Sequence, residues 1–190
     1  MLYKFRNPFK LAPSVSAIIL MLKSVNNKPA RWVIMGVSGC GKSSVGLQLA
    51  TALNVPFLEG DNYHSFENVA KMTAGVPLTD ADRADWLWAL HREIREARLK
   101  HGGLVLSCSS LKRRYRDLLR SADPELRFAH LAGPRELIAE RMAARKDHYM
   151  PTALLDSQLA TLEPLQDDEA GIVLDIAQSP VELVRQILRT

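Results

Sequence analysis

The sequence predicts an α/β fold, a three-layer sandwich in which a five-stranded parallel sheet carries helices on both faces. Three observations predict it. Five short apolar runs are spaced along the chain, each is followed by a segment with apolar residues at helical spacing, and a glycine-rich loop joins the first run to the first helix. The chain has 190 residues, 47% hydrophobic and 24% charged, enough for one ordinary core, which we assign to residues 31–190.

The elements follow in order. Trp32-Val33-Ile34-Met35 is apolar and ended by glycine, the pattern of a buried strand. From Lys42 to Leu53, Val45, Leu49, Ala52 and Leu53 fall at helical spacing. Val55 to Leu58 is a second strand, closed by Glu59-Gly60-Asp61, and Phe66 to Met72 a short helix stopped by Gly75 and Pro77. A longer helix runs from about Asp80 to Lys100, with Leu87, Leu90, Ile94, Ala97 and Leu99 as its stripe, until Gly102-Gly103 ends it. Leu104 to Cys108 is the third strand and Phe128 to Leu131 the fourth; helices over 111–120 and 135–144 follow them. A helix opens at Pro151 and continues to Pro164, Ile172 to Ile176 is the fifth strand, and Pro180 opens the last helix. Strands separated by helices imply parallel pairing with right-handed crossovers. No repeat or linker divides the chain.

The formal net charge is +4, with Lys4, Arg6, Lys10, Lys23, Lys28 and Arg31 all placed before the first strand. The remaining basic residues alternate with acids along helices, which fits small anionic ligands and gives no nucleic-acid patch. Leu11 to Leu22 is apolar behind Lys4, Arg6 and Lys10, but Pro13 interrupts it, no A-x-A-like cleavage site follows, and it is too short to span a bilayer. We read residues 1–30 as a disordered or loosely docked extension, or Met21 as the true start, on a cytoplasmic protein without a membrane partner. Cys40 and Cys108 make no disulfide framework and suit a reducing compartment as buried small residues.

Gly36-Val37-Ser38-Gly39-Cys40-Gly41-Lys42-Ser43 satisfies G-x-x-x-x-G-K-[ST] between a strand and a helix. Glycines let successive backbone N–H groups converge on phosphate oxygens, and the helix start adds its dipole. We expect Gly36, Ser38, Gly39, Cys40, Gly41, Lys42, Ser43 and Ser44 to hold ATP, with Lys42 reaching the β- and γ-phosphates and the Ser43 hydroxyl on Mg²⁺. Guanine-specific GTPases need N-K-x-D, and Asn27-Lys28 lies before the loop followed by proline. Asp168-Glu169-Ala170-Gly171 comes too late in the chain to be a switch. A motor ATPase needs more chain. The fold is then a P-loop kinase sandwich acting on a small molecule.

Glu59 and Asp61 lie two apart at the carboxyl end of the second strand, where ligands bind in doubly wound sheets. Period-2 geometry sends both to one side. Asp61 is the candidate to align the attacking hydroxyl and take its proton, with Glu59 in the outer shell of the metal; an ordinary acidic turn is the alternative.

The segments Gly60-Asp61-Asn62-Tyr63-His64, Asn68, Lys71-Met72, Gly75-Val76-Pro77-Leu78, Asp80-Ala81-Asp82-Arg83 and Trp86-Leu87 are similar to the run G-D-x-x-H, N-x-x-K-M, G-x-P-L-x-D-x-D-R-x-P-W-L of the thermoresistant-type gluconokinase family. The likeness continues through Cys108-Ser109-Ser110-Leu111-Lys112, Tyr115-Arg116-Asp117, Arg141, Arg145, His148, Met150-Pro151, Ser157-Gln158 and Leu162-Glu163-Pro164. Three positions depart from the family: Asp85 for proline in a first helical turn, Ser110 for alanine where it could cap the next helix, and Asp147 for glycine in the lid. The resemblance implies ATP-dependent phosphorylation of gluconate at its 6-hydroxyl, a homodimer, and a nucleotide-kinase-like lid over about 145–151 whose Arg141 and Arg145 neutralise the transferring phosphoryl group.

A polyhydroxy acid needs a cation and several hydrogen-bonding groups, and Asp61, His64, Arg83, Ser109 and Lys112 supply them. Arg83 sits near a helix start, an unfavourable place for a cation unless function holds it there. Lys112, Arg116 and Arg120 share a face at i, i+4, i+8, a solvated stripe from which only Lys112 is a ligand candidate. His64 divides evenly between substrate contact and a local structural bond, and Trp86 and Trp88 are read as packing rather than stacking residues. Other acceptors, shikimate or a nucleoside, and an ATP-binding regulatory protein without transfer activity, stay open as alternatives.

Overall fold

Side-chain alternation along β1 (Arg31–Met35) sets the layering of the computed structural model, which describes residues 29–144 and 153–190. Trp32 and Ile34 enter one apolar cluster, while Val33 and Met35 enter the other. β1 pairs in parallel with β3 (Leu104–Ser107) and β4 (Arg127–Ala132). β2 (Phe57–Glu59) flanks β3 and β5 (Gly171–Asp175) flanks β4, giving the order β2-β3-β1-β4-β5. With two neighbours each, β1 and β3 are fully buried, as central strands of a parallel sheet must be.

On the Trp32 face pack α1 (Lys42–Leu53), α5 (Arg135–Ala143), α6 (Ala153–Thr161) and α7 (Pro180–Ile187), through Val45, Leu49, Ile138, Met142, Leu155, Leu183 and Ile187. On the Val33 face pack α3 (Asp80–Leu99) and α4 (Arg113–Ala122), through Trp86, Leu90, Ile94, Tyr115 and Leu119. α2 (Phe66–Thr73) contributes Met72 to a small third cluster with Leu78 and Leu154 above the sheet's carboxyl edge. Thr79 opens α3 with a capping box, its hydroxyl accepting from Asp82 N while the Asp82 carboxylate accepts from Thr79 N.

The predicted strands and helices all form, with ends displaced by one to three residues; the helix expected over 151–164 ends at Thr161, and its expected start at Pro151 lies outside the described residues. Arg31, expected just ahead of the first strand, is its first residue, and its guanidinium is buried against Asp123 while Nη1 donates to Gly102 O at 2.9 Å. The extension expected over 1–30 lies outside the described residues apart from Pro29 and Ala30, and so does the lid expected over 145–151, with Arg145, Asp147 and His148. Among the described residues, no helix is long and apolar enough to cross a membrane. Cys40 and Cys108 are buried and form no disulfide among the described residues, and burial pushes the Cys108 thiol up to about 11, the setting of an inert thiol.

Candidate active site

Three strand ends build the site. β1 runs into the glycine loop, β2 into a 3₁₀ turn over Gly60–Tyr63, and β3 into Cys108–Leu111, and β2, β3 and β1 are side by side. The loops are stitched together: Gly36 N donates to Ser109 O at 3.2 Å and Cys108 N to Ile34 O at 3.1 Å. Two glycines are dictated by close approach. A Cβ on Gly60 would lie 2.2 Å from Ser107 O, and one on Gly36 would lie 2.8 Å from Leu131 O.

A cavity of about 330 Å³ opens where these ends meet. Its wall includes Ser38 and Lys42 from the glycine loop, Asp61 and His64 from the 3₁₀ turn and its end, Arg83 from α3, and Ser109 and Lys112 ahead of α4. Seven expected site residues therefore share one wall. Gly36, Gly39, Cys40, Gly41, Ser43 and Ser44 lie on the loop and helix start behind it, while Glu59 and Arg141 lie off the wall. Asp61 and Glu59 are not related by strand alternation, because β2 ends at Glu59 and the backbone turns 3₁₀.

The charged groups of the wall differ in what already holds them. The Asp61 carboxylate makes no hydrogen bond, and the Arg83 guanidinium no hydrogen bond or ion pair, among the described residues. Lys42 Nζ donates to Val37 O at 3.0 Å, which folds the ammonium over its own loop. Lys112 Nζ is paired with Asp80 at 2.9 Å. Asp80 also accepts from the Tyr115 hydroxyl and pairs with Arg114, and these bonds, Tyr115's foremost, hold its carboxyl well below the usual range. Burial, aided by that bond to Asp80, pushes the Tyr115 phenol up to about 12.

His64 stacks on the buried Trp86 indole, 4.3 Å between ring centroids and 14° between planes, and Trp86 Nε1 donates to Gly60 O at 2.7 Å. Trp86 thus packs and stacks at once, whereas Trp88 is exposed, edge-on to His91. Burial lowers His64 to about 4, against the pull of Asp61 and with help from Arg83, so the imidazole is neutral near pH 7. Its Nδ1 is buried without a hydrogen-bond partner among the described residues.

The basic stripe on α4 is not solvated. Arg116 is fully buried, its Nε and Nη2 bonded to Glu169 at 2.6 and 2.7 Å, because α4 turns that face toward the segment after α6. Arg120 is mostly buried over the Phe128 ring. Ser110 does not cap α4. It is buried with φ +45° and its hydroxyl donates to Cys108 Sγ, leaving Lys112 as the cap residue without a side-chain cap bond. Asp85 lies in the second turn of α3, exposed, rather than in the first. Arg141 Nη2 donates to Ile176 O at 2.8 Å.

The family model described as shikimate kinase matches residues 38–190. A gluconokinase of Gluconobacter oxydans (strain 621H) is 46% identical over 162 residues, 85% of this chain and 91% of that protein. The thermoresistant gluconokinase of Escherichia coli (strain K12) is 41% identical over 162 residues, covering 85% of this chain and 92% of its own. The two names point to different acceptors, and identity across nine-tenths of the relatives' length is the more specific finding. The chain belongs to the gluconokinase family. A solved gluconokinase from Sinorhizobium meliloti 1021 superposes with a TM-score of 0.78 at 45% identity, covering 86% of this chain and 92% of that one. The P-loop kinase architecture expected from the glycine loop is thus the architecture found.

Several wall residues were not singled out as site residues by the sequence: Thr79, Asp80, Tyr115, Ser157, Gln158 and Thr161. Tyr115, Asp80 and Ser157-Gln158 stand inside the motifs that carry the family resemblance, and that was their available signal. Thr161 had none.

Proposed function

We propose that this chain transfers the γ-phosphoryl group of ATP directly to the 6-hydroxyl of D-gluconate, forming 6-phospho-D-gluconate and ADP. The observation that carries this reading is the shared wall, where Lys42 and Ser38 of the phosphate loop face the same cavity as Asp61, His64, Arg83, Ser109 and Lys112. In the reaction a new O–P bond forms at the 6-oxygen, the bond from the γ-phosphorus to the β,γ-bridging oxygen breaks, and Asp61 aligns the hydroxyl and takes its proton. The loop amides and Lys42 bind the phosphate chain and oppose the charge that develops on it. Arg83, unpaired among the described residues, binds the acceptor carboxylate, and neutral His64 and Ser109 bind its hydroxyls.

Mg²⁺ fits the loop in the same way. The Ser43 hydroxyl, exposed in the first turn of α1, makes no hydrogen bond among the described residues and would serve as a ligand of the metal. Bound there, Mg²⁺ supplies charge neutralisation to the polyphosphate. Residues 31–190 form the kinase domain, and the protein works as a cytoplasmic homodimer in sugar-acid catabolism.

Asp61→Asn tests the assignment. Turnover with gluconate falls about 10²–10⁴-fold, while thermal unfolding and nucleotide binding stay as in the wild type. Near-normal turnover by Asp61→Asn refutes the role of this carboxylate. Lys42→Ala, read the same way, tests the phosphate loop.

A further inference from the structure

Gln158 lies on α6, 120 residues along the chain from Ser38, yet its Oε1 accepts a hydrogen bond from Ser38 N at 2.7 Å. A backbone N–H can only donate, so the amide end that faces it is the oxygen. This N–H belongs to the phosphate loop, whose amides are arranged to bind anions. A carboxamide oxygen, with its partial negative charge, takes the place on that amide that a phosphate oxygen would use. One N–H serves one well-aligned acceptor at full strength, so the two compete.

Which phosphate competes follows from the placement of Ser38. Of the loop residues between Gly36 and Gly41, Ser38 alone lines the cavity, whose wall also carries Asp61 and Arg83, the residues assigned to the acceptor. The phosphate that meets the acceptor is the terminal one. Glutamine also has a property that no charged side chain of its size shares: the oxygen accepts, and the NH₂ beside it carries two donors. Turning the carboxamide over converts a competitor of the phosphate into a donor to it.

We infer that Gln158 is a terminal-phosphate contact of the transfer site, holding the Ser38 amide through Oε1 and turning its NH₂ to a phosphate oxygen when a nucleoside triphosphate takes that amide. The inference rests on the reading of the loop as an ATP site. It makes Gln158 a discriminator between triphosphate and diphosphate, since ADP leaves the Ser38–Gln158 bond in place while ATP exchanges it. Release of the product nucleotide is then coupled to the return of the carboxamide to Ser38.

The experiment is equilibrium binding of ADP and of the non-hydrolysable β,γ-imido analogue of ATP to the full chain and to Gln158→Glu and Gln158→Lys, with folding checked by thermal unfolding. A glutamate still accepts from Ser38 N but cannot donate, and it repels the terminal phosphate. Its affinity for the imido analogue is expected to fall by about tenfold or more while its affinity for ADP changes less than about threefold, the scale of a charged hydrogen bond gained or lost. Gln158→Lys, which only donates, shifts the analogue-to-ADP ratio in the opposite direction. A ratio unchanged in both variants, or equal loss of both nucleotides, overturns the inference and leaves the ATP reading intact. Failure of the unmodified chain to bind ADP overturns the ATP reading itself.

Discussion

Replacing Arg116 with alanine strands a buried charge, and the structure fixes how costly that is. Arg116 and the Glu169 side chain are both fully buried, joined by bonds of 2.6 and 2.7 Å. The same guanidinium also donates to the carbonyl oxygens of Ser110 at 3.1 Å, Glu163 at 3.0 Å and Pro164 at 3.2 Å. Truncation therefore leaves a carboxylate and three carbonyl oxygens short of donors, and Glu169 keeps the Gln166 amide at 3.0 Å and the more distant guanidinium groups of Arg120 at 3.7 Å and Arg113 at 3.9 Å. Breaking a buried pair from one side costs about 3–5 kcal/mol. At about 2–4 °C per kcal/mol for a domain of this size, the midpoint drops by about 6–20 °C. Urea unfolding followed by circular dichroism measures the free energy and calorimetry the midpoint. Replacing both residues by methionine and leucine should cost less than Arg116→Ala alone. The pH dependence adds a second check. Burial pushes the Glu169 carboxyl up, but the Arg116 bonds and the Gln166 amide prevail and hold it below its usual value. A lowered carboxyl contributes stability above the unfolded pKa, and this is lost as pH falls through the folded one. The gap between wild type and Arg116→Ala should therefore narrow as pH is taken from 7 to below about 4.5. A variant within about 1 kcal/mol of wild type at pH 7 would show that this pair is not what joins α4 to the segment after α6.

Three further outcomes are expected. His64, lowered to about 4, is neutral in the fold while the unfolded chain protonates it near 6.5, so stability is lost as pH falls from 6.5 to 4. The loss is on the order of 2 kcal/mol and should be absent from His64→Asn in parallel urea titrations. Arg83→Ala should raise KM for gluconate about 10–100-fold with little change in KM for ATP, the scale of a charged hydrogen bond, whereas Lys112→Ala, already tied to the exposed Asp80, should raise it only about threefold; equal effects would reverse the assignment of the acceptor cation. Gly39→Ala should destabilise, because φ is +84° and the new Cβ would meet Met142 Cγ at 2.4 Å; unchanged unfolding would mean the loop relaxes.

The sheet was legible because buried parallel strands are short, apolar and bounded by glycine, as Trp32–Gly36 and Leu104–Cys108 are. The phosphate loop was legible because its chemistry lies in consecutive residues. What escaped depends on contacts between distant segments. The α4 stripe reads as solvated until Glu169, 53 residues after Arg116, is placed over it. Lys112 reads as an unpaired ligand until Asp80 arrives from α3. Strand alternation does not carry Asp61 to the wall; the 3₁₀ turn that begins at Gly60, where a Cβ would meet Ser107 O, places it there instead. Ser38 and Gln158 carry no shared signal in sequence, being 120 residues apart.

The central claim is that Asp61 and the phosphate loop act on one acceptor hydroxyl across one cavity. The most direct measurement is ADP release by the full chain with Mg·ATP over a panel of gluconate, shikimate, related sugar acids and nucleosides, repeated with Asp61→Asn. The account predicts ADP release that depends on gluconate, with 6-phosphogluconate formed in equal amount, and its loss in Asp61→Asn. Release that is independent of any acceptor, or that shikimate or a nucleoside stimulates in place of gluconate, would contradict it.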